Sequence, residues 1–253
     1  MKLEASVASE PAVEIRQGVF RPDWSVATSV AARRALHGRI AARAGLLNQW
    51  SHRLEATGDT VWRTALQLYG ASGQAPSVSD MAGASGIQPG RLADILRKFE
   101  SHDLVAFNQT SNRIRLAYPF TESVTGHRVE LNGHFLHALC AIDALGVAGM
   151  YDADIAISSS CVHCGDTIHA RTTDKGRAVH SFSPVGAVIW YDFAYDGSAA
   201  ASCCLAIAFF CSGGHLQQCL DLQKVRREGI RLTMDEALEV GRAIFGPVLS
   251  ERS

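Results

Sequence analysis

The chain has 253 residues, 47% of them apolar, and a formal net charge of −1. That balance suits a soluble protein with a sizeable core and argues against strong non-specific binding to nucleic acid or anionic membrane. The first residues, MKLEASVASEPAVEI, lack the run of about 7–15 apolar residues of a secretory signal, and no stretch of about 18 apolar residues follows. A cytoplasmic location is the expectation. There thiols stay reduced, so seven cysteines, an odd count, point to free, metal-binding or reactive sulfur rather than a disulfide framework. All seven lie between residues 140 and 219, which predicts different tasks for the two halves.

Residues 1 to 22 read as an irregular lead-in. Residues 25–56, rich in Ala, Leu and Arg without proline, predict one or two helices, with Arg33, Arg34, Arg39 and Arg43 on a solvated face. From 60 to 117 the pattern is three helices and a hairpin. VWRTALQLYGASG gives a helix closed by glycine, and Ser77 or Ser79 is the N-cap candidate for a short second helix. A third helix carries Leu92, Ile95, Leu96 and Phe99 at helical spacing, and VAFNQTSNRIRLA reads as two strands around a polar turn. This outlines a winged helix. Arg91, Arg97, Lys98, Arg113 and Arg115 could serve DNA, but Asp94, Glu100 and Asp103 dilute the charge, so a packing or substrate-contact role is the preferred reading.

From 118 onward strands with interspersed helices take over. Residues 131–152 predict an apolar helix, strands are expected at 154–161, 166–173, 186–194 and 203–211, and 234–250 predicts a closing amphipathic helix. The fold class is therefore α+β. A helical extension (1–59) and a winged-helix-like module (60–117) precede a mixed, largely antiparallel sheet domain with flanking helices (118–253).

Three features carry sulfur chemistry. In HALCAIDAL, Cys140 and Asp143 stand three apart, on one face of the expected helix; the alternative is a helix end where Asp143 faces water. CVHC at 161–164 is a CxxC of the kind zinc sites use, but a closed site needs two more ligands. The adjacent Cys203 and Cys204 match poorly because strand neighbours point to opposite faces, so a zinc knuckle is not the favoured reading. A thioredoxin-type pair is not favoured, since no βαβ pattern surrounds it. On the expected strand CCLAIAFFC, only one of Cys203 and Cys204 can look into a given pocket, and a lone strand cysteine is commonly a small buried hydrophobe.

Taken in order, the winged-helix-like module, LHALCAIDAL, SSSC, CCLAIAFF and DEALEVG resemble the alkylmercury (organomercurial) lyases over residues 60–248. The resemblance implies catalytic roles for Cys140, Asp143 and Cys204, the last found by counting five residues back from Phe209, and a structural role for Cys161. Leu139, His137 and Cys203 depart from residues common in the family, and Cys164, Cys211 and Cys219 lie outside its pattern.

The implied reaction is protonolysis of the carbon–mercury bond of RHg⁺, with mercury as substrate and product on Cys140, Cys204 and Asp143. Soft mercury prefers sulfur to oxygen or nitrogen ligands, and a nearby acid can protonate the carbon. No cofactor is implied beyond external low-molecular-weight thiols for turnover, with mercuric reductase as a recipient of Hg(II). The competing reading is a soft-metal-binding winged-helix regulator or carrier, and a third is a lyase-like domain adapted to another carbon–heteroatom bond.

Overall fold

The computed structural model describes residues 22–42, 56–101, 103–108, 110–196, 198, 200, 202–223 and 227–250. Most of the expected N-terminal extension lies outside these residues. Its described part is a 3-10 turn (Trp24–Val26) and helix α1 (Val30–Ala42). Among the described residues no helix is long and apolar enough to cross a membrane.

The three expected helices and hairpin are present. Helix α2 (Ala56–Ser72) buries Val61, Trp62, Ala65, Leu66 and Tyr69 and stops at Gly73, whose φ of 71° suits glycine. Helix α3 (Val78–Ser85) starts with a reciprocal box in which Ser77 and Asp80 satisfy each other's backbone N–H. Helix α4 (Pro89–Glu100) has proline in its first turn and buries Leu92, Leu96 and Phe99. Strands β1 (Val105–Asn108) and β2 (Arg113–Ala117) follow. Two of the basic side chains considered for DNA have partners inside the protein: Arg97 pairs with Asp94, and Arg113 donates to the Ala75 carbonyl at 2.6 Å.

The hairpin joins a larger sheet. Strand β3 (Phe120–Thr121) pairs with both β2 and β5 (His134–Ala138), and the order continues through β4 (His127–Leu131), β6 (Ala156–Ser160) and β7 (Thr167–Thr173) to β8 (Ala178–Ser183). A second sheet has the order β10 (Ala208–Phe210), β9 (Val188–Asp192), β11 (Gly229–Leu232). Every ladder is antiparallel, so the fold is α+β as expected.

Two expected elements are corrected. The helix over 131–152 is a strand followed by a shorter helix: Asn132 and Gly133, with φ of 52° and 79°, turn the β4–β5 hairpin, and helix α5 spans Ala141–Tyr151. Asn-Gly supplies the positive φ angles of a tight hairpin, a stop signal inside an otherwise apolar run. The strand over 203–211 is also shorter. Cys203–Ala206 form a helical turn, α6, and pairing with β9 begins at Ala208 opposite Trp190. Strand β9 itself ends at Asp192, where the buried carboxylate accepts the Ala194 N–H at 2.8 Å in an Asx-type turn. Residues 204–206 are helical and lie outside the ladder, and Leu205 is 75% exposed.

Helix α7 (Gly213–Asp221) follows β10, and α8 (Met234–Leu249) closes the described chain, capped by a Thr233–Glu236 box. Helix α5 is buried on nearly every side and packs along α8. Close approach depends on Gly146: a Cβ there would lie 2.2 Å from the Phe245 ring. From the other side, Tyr69 of α2 packs on Phe120, which packs on Tyr151 of α5, and the Tyr151 hydroxyl donates to the Leu66 carbonyl. These contacts fix the middle and the end of α5.

Candidate functional site

Cys140 is the N-cap of α5, with extended backbone (φ −149°, ψ 175°), and its Sγ accepts the Asp143 N–H at 3.3 Å. Sequence spacing placed the thiol and the carboxylate on one helical face. They are neighbours for another reason: a cap side chain reaches the third residue of the first turn. Asp143 does not face water, being 6% exposed.

Cys204 reaches the same place from the helical turn α6. The Ala141 N–H donates to the Ile207 carbonyl at 3.1 Å, which ties the segment after Cys204 to the start of α5. The two sulfurs and a carboxylate oxygen of Asp143 lie within 4.8 Å of one another, and all three residues are buried. The three site residues named from the sequence are therefore brought together.

Burial pushes the Cys140 thiol up, the Cys204 side chain counteracts by hydrogen bonding, and the negative Asp143 pushes it up again. The net direction is upward, so the resting state favours thiol over thiolate at Cys140. The helix start supplies positive potential for negative charge arriving there. Tyr118, buried beside the site, is also pushed up, chiefly by burial and then by the charges of Cys204, Asp103 and Asp143. It stays a neutral phenol, and its hydroxyl donates to Asp103 Oδ1 at 3.5 Å. The sequence reading missed Tyr118, whose position in the lead-in to β3 gives no periodic signal.

A second group of thiols was half seen. Cys161 and Cys164 leave the end of β6, Cys211 follows β10, and His215 sits in the first turn of α7. Their four ligand atoms lie within 4.8 Å of one another. Cys211 and His215, a C-x-x-x-H pair, are the residues that the fold brings to the CVHC cysteines. Cys164 and Cys211 sulfurs are 3.8 Å apart, and Cys161 Sγ is 3.6 Å from His215 Nδ1. Burial raises the Cys161 thiol, but N–H groups of Cys164, Cys211 and His163 and the His215 side chain outweigh it and bring it down to about 6. Cys211 is pushed the other way, to about 12, by burial and by the sulfurs beside it. Beside this group, His163 packs on the His215 ring and hydrogen-bonds with Cys219 at 3.6 Å.

Two buried thiols and a carboxylate thus meet at a helix start in an α+β fold. The chain belongs to the alkylmercury lyase family, whose model matches residues 120–246, half of the sequence and all of the Cys140–Cys204 region. It is 27% identical over 198 residues to an alkylmercury lyase of Staphylococcus epidermidis (strain ATCC 12228 / FDA PCI 1200), covering 78% of this chain and 87% of that protein. Its fold is similar to that of the mercury-bound form of MerB2, with a TM-score of 0.67 at 20% identity, over 87% of this chain and 100% of that one.

Proposed function

We propose that the chain cleaves the carbon–mercury bond of organomercurials, with Cys140 and Cys204 as sulfur ligands and Asp143 as the proton carrier. The observation that carries this reading is the convergence of two sulfurs and one carboxylate within 4.8 Å in a buried site.

RHg⁺ bonds first to one sulfur and then the other, displacing two thiol protons. Mercury has a strong preference for sulfur, and binding itself favours the deprotonated form. Asp143 takes up one proton and the other leaves to solvent. Two donating thiolates raise electron density on the attached carbon, and Asp143 delivers its proton there as the carbon–mercury bond breaks. The products are RH and Hg(II) on two sulfurs, so atoms and charge balance. Low-molecular-weight thiols or a mercuric reductase then take the ion from the site, and no resident cofactor participates.

The test is hydrocarbon release. Methylmercury or phenylmercury with excess small thiol is expected to give methane or benzene in the headspace, quantified by gas chromatography. Protein that binds RHg⁺ but yields no hydrocarbon above the thiol-only control would sink the assignment.

A further inference from the structure

We propose that Cys161, Cys164, Cys211 and His215 form a closed, four-coordinate zinc site, separate from the Cys140–Cys204 pair and independent of the lyase reading. The donor set is three thiolates and one imidazole, a combination typical of structural zinc.

The geometry fits without rebuilding the backbone. With Zn–S of about 2.3 Å and Zn–N of about 2.0–2.1 Å, a tetrahedron has S···S edges of about 3.8 Å and S···N edges of about 3.5 Å. The observed Cys164–Cys211 and Cys161–His215 separations are 3.8 and 3.6 Å. No separation exceeds 4.8 Å, so the widest edge closes by at most about 1.3 Å.

The surrounding backbone is also that of a metal knuckle. Gly165 follows Cys164 with φ 80°, and its N–H donates to the Cys161 carbonyl at 2.9 Å, folding 161–165 into a tight turn. The Cys211 N–H donates to Cys161 Sγ at 3.3 Å, the kind of outer-shell bond that orients a ligating sulfur. Ser212 caps α7 by accepting the His215 N–H at 3.1 Å, which fixes the first turn carrying the imidazole. On metal binding the thiol protons go to solvent and the ion supplies the charge that three adjacent sulfurs would otherwise lack.

The site would act as a staple. It joins the β6–β7 corner of the large sheet to the β10–α7 corner of the small one, where the Val162 N–H already donates to the Phe209 carbonyl at 3.2 Å. Strand β10 lies between Cys204 and Cys211, so zinc at one end steadies the segment that delivers Cys204 at the other.

The experiment is metal analysis of reduced, full-length protein purified without chelators. One zinc per chain is expected by inductively coupled plasma mass spectrometry. Replacement by Co(II) is expected to give thiolate-to-cobalt charge transfer and the intense visible bands of a tetrahedral centre. Cys164→Ser, at an exposed position, and His215→Ala should each weaken zinc by more than the 10–100-fold, roughly, that loss of an outer-shell partner costs. A Cys140→Ser/Cys204→Ser double variant should keep its zinc. Wild-type protein that takes up neither stoichiometric zinc nor tetrahedral cobalt would overturn the proposal, as would zinc that disappears with the Cys140/Cys204 pair. A Cys164–Cys211 disulfide persisting under reducing conditions would overturn it too.

Discussion

The two thiol clusters differ in coordination number, burial and access to a proton. Around Cys140 there are two sulfurs and a carboxylate, all buried. Around Cys161 there are three sulfurs and an imidazole, with Cys164 exposed and no carboxylate in the set. Two sulfurs leave positions on a metal open for an organic group, and the acid beside them can finish a reaction. Four ligands close the shell and leave no position for substrate. The same soft residue therefore serves reaction or scaffold according to how many partners the fold brings to it.

The largest expected effect comes from breaking the open cluster. Cys140→Ser or Cys204→Ser should reduce hydrocarbon release to background while the chain still folds, whereas Cys203→Ser should leave release near the wild-type level. If Cys203→Ser rather than Cys204→Ser silences the enzyme, the assignment of the second sulfur is wrong. Next comes Asp143→Asn, which keeps both sulfurs and removes the proton. Release is expected to fall by about 10²–10⁴-fold, the usual worth of a positioned acid or base. Capture of RHg⁺, measured by equilibrium dialysis, should persist; equal loss of capture and release would mean that Asp143 binds the metal rather than carries the proton.

A smaller effect separates the supports of the two clusters. Gly146→Ala drives a methyl toward Phe245 at the α5–α8 contact, and overpacking of this kind costs about 1–3 kcal/mol. Helix α5 carries Cys140 and Asp143 but no ligand of the zinc cluster. Activity should therefore decline with the denaturation midpoint while zinc content stays at one per chain.

Much of this was legible in the sequence, for local reasons. The helices of the winged-helix-like module announce themselves by apolar period, the Ser77 cap and Gly73, and Cys140, Asp143 and Cys204 are set by motif order. Proximity of Cys140 and Asp143 was read correctly from a wrong premise, since cap geometry and helical faces both favour a spacing of three. The turn at Asn132–Gly133 carried its own signal but was masked by the apolar residues on either side. The helical turn at Cys203–Ala206, which shortens the expected strand, has no periodic signature. Completion of CVHC by Cys211 and His215 depends on pairing across a separation of 47 and 54 residues, which spacing alone does not reveal.

The smallest expected effect concerns the strand the two clusters share. His127, on β4, packs its ring on Phe209 of β10 and shares a 2.8 Å hydrogen bond with Ser159. Burial depresses its pKa from 6.5 to about 4. The charged imidazolium is thus disfavoured in the folded chain, and between pH 6.5 and 4 the unfolded chain binds more protons. Stability from this group is fully present above pH 6.5, is lost as pH falls toward 4, and changes no further below that. Allowing for partial exposure, the loss is about 2 kcal/mol. Urea unfolding of wild type and His127→Gln across that window checks it. The wild-type midpoint should drop more steeply with acid than that of the variant, and parallel curves would show that the strand between Cys204 and Cys211 does not rest on a neutral His127.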